Sequence, residues 1–223
     1  MSRPDINPRA RDLTWTLKAL EQDLIDENGP RISTMRNYRF AIAVYDPAEE
    51  FDLRKGLSAL SGRLTREGWV VHTISLHRVL LERLRRDLGE KNIERIIARE
   101  KRLAARPGGV ERAASYLNEK ITLLVEGPDG IAADVAGEID TLIEENAERA
   151  DRIVVFIART GALYPFMRTS ALLKHIDGRT HNLPVVLFYP GSRDGERGLS
   201  FMKVLPAFGD YRPQIYTPDS LKI

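Results

Sequence analysis

The side chains best equipped for chemistry gather between Arg152 and Gly191, where Arg159, Thr160, Tyr164, Arg168 and Tyr189 stand at or just beyond the ends of two apolar runs. Guanidinium forks match the oxygens of carboxylate and phosphate, and the hydroxyl and phenols add further hydrogen bonds. The set therefore suits recognition of an anionic group, and it is the candidate partner or ligand surface. The two runs, Ile153 to Ala158 and Val185 to Tyr189, lack period-2 alternation, as parallel strands buried on both faces do. A bridge of crossover length joins them into a β-α-β unit, whose binding surface lies outside the carboxyl ends of the strands. If Pro165 opens the bridging helix, Arg168 falls in its first turn, where the helix dipole disfavours a cation. Either an internal carboxylate, Asp46 foremost, or an external acidic or phosphate group must then compensate, with Arg159 as a second donor. Tyr164, Phe166 and Tyr189 serve core or rim packing as readily as a binding platform.

Other chemistries find less support. The first apolar run leads into Asp46-Pro47-Ala48-Glu49-Glu50, which presents carboxylates where a phosphate-binding loop presents glycine amides and a lysine. Glu126-Gly127-Pro128-Asp129-Gly130 has glycines, but Pro128 removes an amide and two acids would repel an anion. His72, His77, His175 and His181 have no carboxylate at a familiar ligand spacing, and the chain has no cysteine, so no metal site is expected. Thr169 and Ser170 lack the glycine elbow of an activated nucleophile. A hydrolase built on Asp46, Arg159 and Arg168 would lack its nucleophile. No catalytic residue, reaction or cofactor is assigned.

The elements that must hold the strand-end residues can be read from periodicity. Leu13, Leu17, Leu20 and Leu24 form one stripe of an amino-terminal packing helix over residues 9–28, stopped by Asn28-Gly29-Pro30, with residues 1–8 flexible. Phe40 to Tyr45 is a buried strand. Asp46 fits an N-cap, Pro47 the first helical position and Glu49 the capping-box carboxylate of a helix carrying Leu53, Leu57, Leu60 and Leu64. Trp69 to Ser75 is a second strand, followed by a charged helical tract from Leu76 to about Ala105, broken near Gly89 and ended by Pro107-Gly108-Gly109. A short helix from Val110 to Asn118 leads to Ile121 to Val125, read as a third strand. Ile131, Val135, Ile139, Leu142 and Ile143 then share one helix face. After Tyr189 come a loop over Ser192 to Gly198, a short helix over Leu199 to Leu205 and an edge strand at Gln214 to Tyr216. Strands alternating with amphipathic helices predict a single α/β domain over residues 1–223. Its expected form is a three-layer, mainly parallel sheet of about five strands with helices on both faces, lacking a P-loop.

At 223 residues the chain can bury a sizeable core as one domain. With no cysteine, no signal peptide and no apolar run of membrane-spanning length, it reads as a cytoplasmic, soluble protein without a membrane role. The net charge of +2 hides an uneven distribution. From Arg78 to Arg112 eleven basic residues face six acids, whereas Glu126 to Asp151 holds nine acids and the single cation Arg149. These are either two solvated helix faces of opposite sign, set against each other, or a docking surface for a charged partner. In the second case Arg83, Arg85 and Arg86 are the candidate nucleic-acid contacts, with salt-sensitive binding.

The run Gly161-Ala162-Leu163-Tyr164-Pro165-Phe166-Met167-Arg168-Thr169, then Leu172-Leu173, then Leu183-Pro184-Val185-Val186-Leu187-Phe188-Tyr189-Pro190-Gly191, resembles the BrxB family of BREX bacteriophage-defence components. The likeness extends to Tyr45-Asp46-Pro47, Glu50 and Leu53-Arg54. It continues through Asp194-Gly195 and Leu199-Ser200-Phe201 to an abbreviated ending at Asp210-Tyr211-Arg212. The resemblance implies a non-catalytic scaffold or adaptor subunit in an assembly with a methyltransferase, an AAA-type ATPase and the phosphatase-superfamily protein PglZ. It implies the other BREX proteins as partners, PglZ above all, with DNA contact through the complex. The other reading is a degenerate nucleotide- or nucleic-acid-binding module of the same system.

Overall fold

In the computed structural model, the described residues are 8–27, 29–32, 39–194, 198–205 and 213–217. Of the expected loose start over residues 1–8, residues 1–7 lie outside them, as do Asn28 of the first helix stop, Gly195 and the Asp210-Tyr211-Arg212 ending, whereas Pro8 is already helical.

Six strands form the sheet: β1 (Phe40–Tyr45), β2 (Val70–Ser75), β3 (Ile153–Ala158), β4 (Val185–Asp194), β5 (Gly198–Phe201) and β6 (Gln214–Tyr216). Seven α-helices accompany them among the described residues: α1 (Pro8–Leu24), α2 (Glu50–Arg66), α3 (Leu76–Leu88), α4 (Glu90–Ala104), α5 (Gly109–Val125), α6 (Ile131–Glu145) and α7 (Thr169–Ile176). Five strands run in the order β2-β3-β4-β1-β6, all parallel, while β5 folds back antiparallel on the outer half of β4. The domain is the expected α/β sheet covered on both faces.

Burial on both sides explains the unbroken apolar runs. In β1, alternate residues Phe40, Ile42 and Val44 join one core cluster, and Ala41, Ala43 and Tyr45 join the other. The first cluster packs under α3, α5, α6 and α7, and the second under the leucine stripes of α1 and α2. The chain leaves β1 across the α1/α2 face to reach β2, then returns strand by strand across the other face. Right-handed crossovers running in opposite directions along a sheet put their helices on opposite faces in this way.

Four local expectations are corrected. Ile121 to Val125 is the last part of α5, not a strand. Its burial has helical spacing, with Ile121 and Val125 buried four residues apart and Leu123 between them 84% exposed. Leu199 to Leu205 is not a helix: Leu199 and Phe201 alternate inward on β5, paired with Arg193 and Gly191. The loop read over Ser192 to Gly198 shrinks accordingly, because Ser192 to Asp194 extend β4. Finally, α7 begins at Thr169 rather than Pro165, so Arg168 is its extended N-cap and stands outside its first turn.

Candidate functional site

The carboxyl ends of β1, β3 and β4 meet at one end of the sheet, and local sequence dictates what each presents there. After β1 the chain turns sharply, because Asp46 accepts a hydrogen bond from the Ala48 amide at 3.0 Å and Pro47 follows it. A short 3-10 turn over Pro47–Glu49 then passes into α2. The helix start that would otherwise attract an anion is thus occupied by the protein's own carboxylate. Asp46 also receives Lys203 Nζ at 2.6 Å, from the turn after β5.

After β3, Arg159 adopts a left-handed conformation with φ of 62° and swings its side chain toward α2. Its Nε lies 3.2 Å from Glu50 Oε1, at ion-pair distance but without hydrogen-bond alignment. The other oxygen of Glu50 accepts the Tyr45 hydroxyl. Burial first, then this carboxylate acceptor, pushes the Tyr45 phenol well above its ordinary range. The phenol is therefore a fixed donor rather than a base. Of the two compensations open for Arg168, the internal one, an ion pair with Asp46 or another carboxylate, is not formed among the described residues. Asp46 is held by Lys203, and Glu50 is the carboxylate facing Arg159.

The five strand-end residues divide by depth. Thr160 is fully buried, and its hydroxyl donates to the Phe188 carbonyl at 2.6 Å, locking the turn after β3 onto β4. Tyr189 is also buried, donating to the Leu199 carbonyl at 3.3 Å and packing edge-on against Phe201. Tyr164 is half-buried against the same Phe201 ring. Arg159 is partly exposed, and Arg168 is exposed at the N-cap of α7. No carboxylate among the described residues pairs with Arg168. Thr160, Tyr164 and Tyr189 thus hold the strand ends together, and the two arginines supply the accessible charge.

The basic tract and the acidic helix do face each other. Arg83, with a side chain only 12% exposed, reaches Asp134 Oδ2 at 2.7 Å and the Gly130 carbonyl at 3.0 Å. It also donates to the carbonyls of Leu124 and Asp129. Arg86 takes the other Asp134 oxygen at 3.0 Å, and Arg78 and His72 both bind Glu138. Of the three candidate nucleic-acid contacts, two are engaged internally, and Arg85 faces solvent. His181 meets Asp140 at 2.6 Å. These histidine partners were invisible at i+3 and i+4 because they come from a different element. Among the described residues, no group of three or more His, Asp and Glu is placed to hold a metal ion, and no helix is long and apolar enough to cross a membrane.

Fold and site together define a class: a three-layer α/β protein with a parallel sheet, whose first strand-to-helix turn holds an aspartate cap instead of a phosphate loop. The family model described as BREX protein BrxB matches residues 72–215, from β2 into β6. The chain belongs to the BrxB family and is thereby a component of the BREX phage-defence context, alongside the other BREX proteins. No curated protein and no solved structure matches it. The family match starts inside β2, so β1 and α2, with Asp46 and Glu50, lie outside the matched stretch.

Proposed function

We propose that this chain is a scaffold or adaptor subunit of a BREX-type defence assembly, without a reaction of its own, and that it docks PglZ. Family membership supplies the assembly. The observation that carries the docking is Arg168, an exposed cation at the N-cap of α7 with no carboxylate partner among the described residues. A cation beside a helix amino terminus is disfavoured on its own and gains from an acid brought by a partner. Behind it, Thr160, Tyr164 and Tyr189 make the strand ends a rigid platform, which limits the ordering cost of association. Conformational rigidity under an exposed charge suits recognition.

Co-expression with PglZ followed by affinity capture tests this. A stable complex is expected, and Arg168→Glu should weaken it while leaving the circular dichroism spectrum and thermal transition unchanged. Failure to recover a complex from two folded proteins would remove the docking reading. The nucleic-acid reading is less well supported, because Arg83 is withdrawn against Asp134 and Arg86, though exposed, is paired with Asp134 and Asp87, which leaves Arg85 as the exposed member of the three without an ion pair among the described residues.

A further inference from the structure

We propose that the cleft between α2 and the carboxyl end of β2 is a binding site for the phosphate group of a small molecule. The cleft arises from residue size. On the side of the sheet facing α2, β2 carries Thr73 and Ser75, and Ser75 stands in register with Ala158 of β3. These small side chains leave the layer between sheet and helix unfilled at this end. Above them, α2 buries Leu53, Leu57, Leu60 and Leu64, and the flank beside that stripe is Arg54, Ser58 and Ser61. Arg159 closes the end. The resulting volume of about 320 Å³ lies within the range of small-ligand sites, about 300–1,000 Å³.

The lining is selective in charge and in hydrogen-bond capacity. Two guanidinium groups border the cleft, and no carboxylate lines it. Arg54 has no carboxylate partner among the described residues; its guanidinium lies over the face of the Phe51 ring, 6.0 Å from the centroid. Arg159 directs Nε to Glu50, which leaves its two terminal nitrogens for another acceptor. The hydroxyls of Ser58, Ser61, Thr73 and Ser75 make no hydrogen bond to any described residue. Ser75 is also the N-cap of α3, yet its hydroxyl makes no capping bond. Guanidinium forks with convergent hydroxyls at the start of a helix are the donors that a doubly charged phosphate oxygen cluster accepts from. A carboxylate ligand would use fewer of them.

The full chain, at constant ionic strength, is titrated with inorganic phosphate and separately with adenosine monophosphate, and amide shifts are followed by two-dimensional NMR. Saturable shifts around Ser75 and Ser58 are expected, with affinity falling by at least about tenfold in Arg54→Ala, the loss of a charged hydrogen bond. Ser58→Leu, which fills the cleft from an exposed helix position, should abolish binding. Arg95→Ala, on the exposed face of α4 and outside the cleft, should leave it unchanged. Equal affinity for the two probes identifies the free anion as ligand, whereas tighter binding of the nucleotide identifies an organic monoester. The proposal is overturned if neither probe saturates, or if Arg54→Ala and Ser58→Leu bind as the parent does. No partner protein enters the experiment, so its outcome is independent of docking.

Discussion

Arg83 and Arg85 lie two positions apart on α3 and read alike in sequence, yet they do opposite things. Arg83 points at the end of α5, where its charge meets the Leu124 carbonyl of that helix, the Asp129 and Gly130 carbonyls of the following turn, and Asp134 in the first turn of α6. A cation at a helix carboxyl terminus is favourable, and several charged hydrogen bonds, three of them partly buried, reinforce it. Arg83→Ala should therefore lower stability by about 1–3 kcal/mol, because it leaves three carbonyls without their donor and Asp134 with Arg86 alone. Arg85→Ala should stay within about 0.5 kcal/mol, as an exposed substitution does. Urea unfolding of the two variants measures the contrast. Loss of DNA binding in the first alone would then report unfolding rather than lost phosphate contacts. The sequence revealed that the basic and acidic tracts could neutralise each other. It did not reveal which arginine turns inward, because that depends on a helix rotation fixed by Val79 and Leu80 in the core.

At the scale of elements, β2, α3 and α6 are joined through Glu138, which meets His72 at 2.8 Å and accepts from Nη2 of Arg78 on both of its oxygens. Burial acts to raise the carboxyl, but the hydrogen bonds and charges of His72 and Arg78 outweigh it and hold Glu138 below its ordinary 4.5. Because the folded value is depressed, the unfolded chain takes up the proton first as pH falls. The contribution of Glu138 is fully present above the ordinary carboxylate value and is lost as pH drops through the folded one. Unfolding midpoints measured between about pH 3 and 6 should fall on the acid side, and Glu138→Gln should flatten that slope. The elements themselves were largely legible. Fully apolar runs gave β1, β3 and the inner half of β4, and the leucine stripes gave α1 and α2. Ile121 to Val125 misled because a five-residue, β-branched apolar run has no period of its own, and only its neighbours decide between helix and strand. Hairpin β4–β5 was missed for a different reason. Gly191 is needed there because a Cβ would come within 2.1 Å of the Ser200 carbonyl oxygen, a contact between strands that local sequence does not announce.

For the whole molecule, the position of β1 governs what can stand alone. It lies between β4 and β6, and with α1 and α2 it supplies much of one core layer. A chain starting at His72 keeps the family-matched stretch but loses a central strand and one helical layer. Such a fragment should show poor amide dispersion and no cooperative urea transition, while the full chain shows both; a sharp transition in the fragment would contradict this. The strand-end site was legible as a neighbourhood, since Arg159, Thr160, Tyr164, Arg168 and Tyr189 do converge on one end of the sheet. Its division into buried locks and accessible arginines was not legible, because depth is a property of the assembled layers. The same placement of β1 has a consequence during synthesis. Both strands that pair with it are encoded far downstream, its first partner starting at Val185. At about 5–20 residues per second, an apolar strand with two open edges waits on the order of ten seconds beside the ribosome. Over that interval α1 and α2 are the shelter it has within its own chain, which makes the amino-terminal leucine stripe a guard against aggregation before it is part of a core.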